Sequence, residues 1–277
     1  MSLGVDSRSP RDGSERRPAF SRLPVVIDLE PLLAALADLD ETLWQGHFNQ
    51  GYYDGDWSGV ALISAADALT ALSHGDGPAV FRQPWLSDPR WRHGLRALDL
   101  DIRNARLMRL GPGGHIHEHR DYDLAGPDAD MRLHVPLLTP EQVDFMLEGQ
   151  RVPMQAGECW FLDLDRAHSV DNHDDSPRVH LVIDCRPGPW VNAAIDAGLA
   201  STPAPGIGRF AAAFAGFSRW LERSPHASAQ LQAITDAERF IELTLELAAQ
   251  QGFVFNRAQV RAAMRQGRSL RRDQWKA

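Results

Sequence analysis

The sequence predicts a mainly β protein with flanking helices, built round a jelly-roll core, and three observations predict it. From Arg103 to Arg186, short apolar runs follow one another at close spacing, broken by Gly, Pro and Asp turns. A jelly roll is one of the few ways such strands close around a pocket. Within that region, Gly113 to Tyr122 places a polar side chain at every second position, the period of a strand. On either side of the region, apolar residues recur at the spacing of helix faces instead.

Residues 1–22 are mostly Ser, Arg, Asp, Gly and Pro and read as a flexible tail, because they hold too little apolar surface to offset the entropy of ordering. Val25-Val26-Ile27 reads as a short strand. Asp28 is placed to cap a helix starting near Pro31, with Leu32, Leu33, Leu36, Leu39 and Leu43 on one face. A turn at Tyr52–Trp57 leads into a strand over Val60–Ile63, and Ser73–Pro89 reads as a loop. Trp91, Leu95 and Leu98 return to helical spacing.

The barrel strands are then expected at Arg106–Leu110, in the His-rich stretch from Gly113, and at Met131–Leu138, Val143–Gly149, Gly157–Asp163 and Arg178–Asp184. Beyond Pro187, Phe210, Phe214, Phe217 and Leu221 mark one helix face and Leu231, Ile234, Ile241, Leu245 and Ala248 another, with a basic helical stretch from Asn256 to Trp275. The expected organisation is a tail over 1–22, a barrel domain with N-terminal helices over 23–187, and a helical lobe over 188–277.

A chain of 277 residues can bury a sizeable core without a disulfide. Cys159 and Cys185 sit in apolar runs and read as reduced core residues. The formal net charge of -8, with no Lys/Arg run beside exposed aromatics, argues against a nucleic-acid or anionic-membrane partner. No run is long and apolar enough to span a membrane or to serve as a signal peptide, so a cytoplasmic protein with a small-molecule partner is expected. The oligomeric state is left open.

If the His-rich stretch is a strand, His115, His117, His119 and Asp121 share one face. The sharp reading is His119-x-Asp121, an imidazole and a carboxylate offered to one ion. His168, after the next apolar strands, would complete two His and one carboxylate, a set that leaves three positions free and suits Fe(II). His115 would lie about 13 Å from His119 along a strand and is not expected to share the ion. Ten residues past His168, Arg178 opens a strand and can grip a carboxylate bidentately in the same pocket. Trp57 reads either as a pocket-rim residue or as ordinary packing.

Taken together, Ala105–Leu110, Glu118-His119-Arg120-Asp121-Tyr122, Arg132-Leu133-His134-Val135-Pro136, Gly157–Asp163, His168 and Arg178–Asp184 resemble the aspartyl/asparaginyl β-hydroxylase-like branch of the Fe(II)/2-oxoglutarate-dependent oxygenases, and within it bacterial proline cis-hydroxylases. The resemblance spans roughly Asp56 to Arg186. It implies a double-stranded β-helix, with His119, Asp121 and His168 as catalytic iron ligands and Arg178 on the distal carboxylate of 2-oxoglutarate. It also implies that Arg132 and His134 line the co-substrate pocket. The implied activity is hydroxylation of an unactivated C–H bond by O2, with succinate and CO2 released, on a small proline-like amino acid or an aminoacyl or peptidyl group. Trp57, Arg120 and Tyr122 are the candidates for the substrate side.

Three alternatives stay open. His115-x-His117 with His168-x-x-x-Asn172 partly mimics a cupin metal motif that needs no 2-oxoglutarate, a lipid acyl chain could be the substrate of the same centre, and the barrel could be a binding protein.

Overall fold

The computed structural model describes residues 17–264 apart from 74, 76, 127, 258 and 262. They divide into two units, one of 17–148 with 152–204 and one of 149–151 with 205–264. Most of the predicted tail lies outside the described residues, but its end does not behave as a tail. Phe20–Arg22 form β1, antiparallel to Trp160–Leu162. The Phe20 and Trp160 rings sit 6.2 Å apart and Ser21 donates to the Ile195 carbonyl at 2.7 Å, contacts that offset the ordering cost.

Val25–Ile27 is an irregular connection rather than a strand: Ile27 turns into the core while Val26 is exposed. The first helix, α1, is Leu29–Ala37, starting where Asp28 predicts and stopping short of Leu43. Asp28 does not cap it with its side chain, which is taken by Arg96 at 2.8 Å. Then come β2 (Gln45–Gly46), β3 (Tyr53–Asp54) and β4 (Trp57–Ala65). The predicted loop over 73–89 contains β5 (Ala79–Phe81) and α2 (Gln83–Ser87), and α3 (Arg90–Gly94) follows. Pairing of Ile63 with Phe81 holds β5 in place, a long-range contact no local pattern reveals.

The barrel strands are β6 (Ile102–Leu110), β7 (His115–His119), β8 (Met131–Leu138), β9 (Val143–Leu147), β11 (Trp160–Leu162), β12 (His168–Asn172) and β13 (Arg178–Cys185). β10 (Gln150–Arg151) belongs to the second unit. The large sheet has the order β1-β11-β8-β13-β6-β4-β2, with β5 on β4, and the smaller one runs β9-β12-β7-β3. All of these pairs are antiparallel. Successive barrel strands alternate between the sheets, the winding of a double-stranded β-helix.

Period-two alternation sends each large-sheet strand to two destinations. Leu133, Val135 and Leu137 of β8 and Val179, Leu181, Ile183 and Cys185 of β13 face outward, onto Leu32 of α1, Trp91 of α3 and Val191 and Ile195 of α4 (Pro189–Leu199) or one another. α4 therefore counts with the barrel and not with the lobe expected from residue 188. The opposite residues of these strands face the smaller sheet. They meet Ile116, Phe145 and Val170 at one end around Leu110, Trp160 and Leu162, and enclose a polar cavity at the other.

The second unit holds α5 (Arg209–Glu222), α6 (Pro225–Gln232) and α7 (Ala237–Gln250), the helices predicted from their apolar spacing. Phe217, Leu231 and Ala248 form its core, with Phe253 and Phe255 against them. Much of the basic stretch predicted as a helix to Trp275 lies outside the described residues.

Candidate active site

The His-rich strand does not keep the single-faced alternation that its sequence suggests. β7 and β12 pair Ile116 with Val170 and His119 with His168, three steps on one strand against two on the other. His117 and Glu118 therefore oppose Ser169 alone, a β-bulge that resets the parity of the strand. As a result Ile116 and His119 both face the cavity, while His115 and His117 turn to the outer surface. There His115 Nδ1 pairs with Asp171 at 2.6 Å and His117 Nε2 with Asp54 at 3.0 Å. The expectation that all three histidines share one face is thus corrected, and neither outer histidine reaches the cluster that a cupin-like set would need.

The cluster itself consists of His119, Asp121 and His168, whose ligand atoms all lie within 4.8 Å of one another. Asp121 sits just past β7, its N–H donating to the Leu164 carbonyl at 2.9 Å. His119 Nε2 is 3.6 Å and His168 Nε2 3.8 Å from its carboxylate. His119 Nδ1 contacts the His117 carbonyl at 2.7 Å and His168 Nδ1 the Arg166 carbonyl at 3.0 Å. A carbonyl only accepts, so both Nδ1 atoms carry the proton and both Nε2 lone pairs converge on Asp121. That is how metal-binding imidazoles are oriented. Burial pushes the His168 pKa down to about 4, so it stays neutral, as a ligand must.

Behind Asp121 runs a chain of buried charges. Arg132 donates to Asp121 and, through Nε at 2.6 Å and Nη2 at 3.0 Å, grips Asp184 bidentately. Asp184, 0% exposed, also accepts from Arg106, whose other amino group donates to the Leu72 carbonyl at 2.7 Å. Arg132 lines the cavity, with its guanidinium committed to two carboxylates.

Arg178 is a different case. It is 2% exposed on the same cavity, and among the described residues it has no carboxylate partner. Its Nη2 donates to His180 Nδ1 at 2.8 Å, and its Nε has no partner. Burial alone pushes its pKa down to about 9, which leaves it a cation at neutral pH. His134 and His180 stand beside it, held neutral by burial first and by the Arg178 charge second. His134 lines the cavity with Nε2 unpartnered, whereas His180 packs behind Arg178.

The cavity holds about 350 Å³. Trp57, Arg120 and Tyr122 all reach its wall. Arg120 donates to the Asp165 carbonyl at 3.0 Å and Tyr122 is largely exposed at the mouth. Trp57 stacks on His47 with ring centroids 3.6 Å apart. Sequence reasoning missed His47, Arg106 and Asp184. The last two were within reach: Asp184 shares the inward parity of Arg178 on β13, and Arg106 faces inward from β6. His47 lies on no periodic element and gives no such signal.

Residues 86–187 match the family model described as aspartyl/asparaginyl β-hydroxylase. A curated relative, L-proline cis-4-hydroxylase of Rhizobium meliloti (strain 1021), is 29% identical over 162 residues, covering 54% of this chain. The match spans 56% of that relative's length. Among solved structures, a 2-oxoglutarate–Fe(II) oxygenase family oxidoreductase from Burkholderia pseudomallei is 15% identical with a TM-score of 0.38, over 57% of this chain and 77% of that one. A Pseudomonas putida prolyl-4-hydroxylase is 15% identical with a TM-score of 0.37, over 61% of this chain and 94% of that one. The stretch that matches the aspartyl/asparaginyl β-hydroxylase model, residues 86–187, carries both histidines and the aspartate of the cluster.

Proposed function

We propose that this chain is an Fe(II)- and 2-oxoglutarate-dependent dioxygenase that hydroxylates an unactivated C–H bond of a small, proline-like amino acid or of an aminoacyl or peptidyl group. The observation that carries this reading is Arg178, a buried cation without a carboxylate partner on the wall of the cavity that holds His119, Asp121 and His168. A buried charge is costly unless it is paired, so such a site calls for an anion. The dicarboxylate 2-oxoglutarate supplies one.

The residues fit both groups. Two imidazoles and one carboxylate on one side of an ion are the donor set of non-haem Fe(II) sites with open positions. The metal and 2-oxoglutarate, when bound, supply the oxidising power that inserts one oxygen atom of O2 into the C–H bond, with succinate and CO2 as the other products. The chain's own part is placement. His119 and His168 present fixed Nε2 lone pairs, Arg132 holds Asp121 in orientation, and Arg178 offers a guanidinium to the distal carboxylate. His134, on the same wall, braces the Arg178–His180 pair: its Nδ1 donates to His180 Nδ1 at 3.2 Å, the atom that also accepts from Arg178. Phe145, Leu164, Val170 and Val182 make that part of the wall apolar, which strengthens every ionic contact made there.

The test is an anaerobic titration with Fe(II) and then 2-oxoglutarate, following the visible charge-transfer band of the chelated co-substrate. The band should form in the wild type, vanish in His168→Ala and require far more 2-oxoglutarate in Arg178→Ala. Iron binding without any band would overturn the co-substrate assignment.

A further inference from the structure

The bulge that turns His119 inward leaves a second set of metal-ligating side chains on the opposite face of the same strand. Asp54 of β3 and Asp171 of β12 are both cross-strand partners of His115 on β7. The three therefore stand in a row across the outer face of the smaller sheet, with His117 two residues along β7. None of the four lines the cavity, and the oxygenase reading uses none of them.

The spacings in this row are those of ligands around one small ion. Zn(II) sits about 2.0–2.1 Å from an imidazole nitrogen or a carboxylate oxygen, which places tetrahedral ligand atoms about 3.3 Å apart and the centroids of two bound imidazoles about 5 Å apart. The His115 and His117 rings are 5.0 Å apart between centroids, and His117 Nε2 is 3.0 Å from the Asp54 carboxylate. Asp171 pairs with His115 Nδ1 at 2.6 Å. That leaves Nε2 as the ligand atom, the way a carboxylate behind a metal-bound histidine fixes its ring.

The four side chains are not drawn in to one point as His119, Asp121 and His168 are. The two that must close are the least confined, His117 with 42% and Asp54 with 75% of the side chain exposed. Among the described residues neither Asp54 nor Asp171 pairs with an arginine. Two carboxylates beside two neutral imidazoles carry the charge that one divalent cation cancels. Nitrogen donors favour a Zn(II)-type ion over Mg(II) or Ca(II).

We propose that His115, His117 and Asp54 bind a divalent transition ion of the Zn(II) class on the outer face of the smaller sheet, with Asp171 orienting His115. The site is separate from the inner cluster and stands whether or not the oxygenase reading does. β3 is the two-residue edge strand of this sheet, and Tyr52 and Trp57 on either side of it line the cavity. An ion shared between β3 and β7 therefore pins part of the cavity wall to the sheet.

The test is calorimetric titration of the tag-free, metal-free chain with Zn(II), which binds nitrogen donors far more tightly than Mn(II). It is run at pH 8, because Asp171 raises the pKa of His115 and protons compete for its ring. The wild type should take up two Zn(II) per chain and the His115→Ala/His117→Ala variant one. The His119→Ala/His168→Ala variant should also take up one, and should lose it when His115→Ala is added. Asp171→Asn should weaken the outer site about 10- to 100-fold and leave the inner one unchanged, the loss usual for a partner behind a ligand. Zn(II) should raise the Tm of the His119→Ala/His168→Ala variant, and Asp54→Ala on that background should abolish the rise. A stoichiometry that removal of His115 and His117 does not change would overturn the outer site. A stoichiometry that removal of His119 and His168 does not change would count instead against the inner cluster.

Discussion

His119 and His168 face each other directly across β7 and β12, their rings 4.2 Å apart and each tied through Nδ1 to a backbone carbonyl two residues back. The pairing gives the cluster a rigid base, since neither ring can turn without breaking a hydrogen bond to its own stretch of backbone. It also sets the first prediction. His119→Ala, His168→Ala and Asp121→Ala should each lower Mn(II) affinity, read by electron paramagnetic resonance, by at least ~100-fold, more than the usual loss on removing an outer-sphere partner. His115→Ala and His117→Ala should leave it unchanged, because both point to the outer face.

Arg178 should oppose stability and function. Arg178→Met removes an uncompensated buried charge and fills its space with an apolar chain, so the apo-protein should gain about 1–3 kcal/mol. That corresponds to a rise of several degrees in Tm, by scanning calorimetry. The same variant should lose the further rise that 2-oxoglutarate gives the wild type, since a ligand stabilises only the state that binds it.

Asp184 carries the opposite sign. Asp184→Asn leaves Arg106 and Arg132 facing each other without their shared counter-charge, and breaking one side of a buried ion pair costs about 3–5 kcal/mol. Urea unfolding should show that loss. Asp184→Glu should recover part of it, and Mn(II) affinity should fall in step with how far Arg132 releases Asp121.

The buried histidines make stability fall in acid. His47, His134 and His180 have folded-state pKa values pushed below the ordinary 6.5, in the case of His47 to about 4. Between those values and 6.5 the unfolded chain binds more protons than the folded one, so stability is complete above pH 6.5 and is lost as pH falls. Each such proton contributes a slope of about 1.4 kcal/mol per pH unit at most. Urea midpoints at pH 7, 6 and 5 should decline accordingly, and less steeply in His180→Gln.

Much of this arrangement could be read from the sequence, for reasons that differ by element. β8 and β13 follow strict alternation, so Arg132, His134 and Arg178 could be assigned to one face before any coordinates. Phe217, Leu231 and Ala248 fall at helical spacing and do form a helical core. The failures came where tertiary contacts overrule local pattern. Phe20–Arg22 become a strand only because an edge is free beside Trp160–Leu162. Ile27 abandons strand geometry to fill space among helices. The bulge at His117 and Glu118 leaves no compositional mark, so the face of His115 was misassigned although His119 was not. His47 owes its place on the cavity wall to its stack on Trp57, a relationship invisible without the fold.

That bulge also stores information as chain length. Between Gly114 and His119 the identity of the inward residue depends on a count, so deleting Glu118 would bring His119 forward in register and carry Asp121 out of step with Leu164. A library of single-residue deletions across β7 should therefore be far less forgiving than a library of substitutions at His115 and His117, with tolerance falling off sharply at the position where the strand steps out of rhythm.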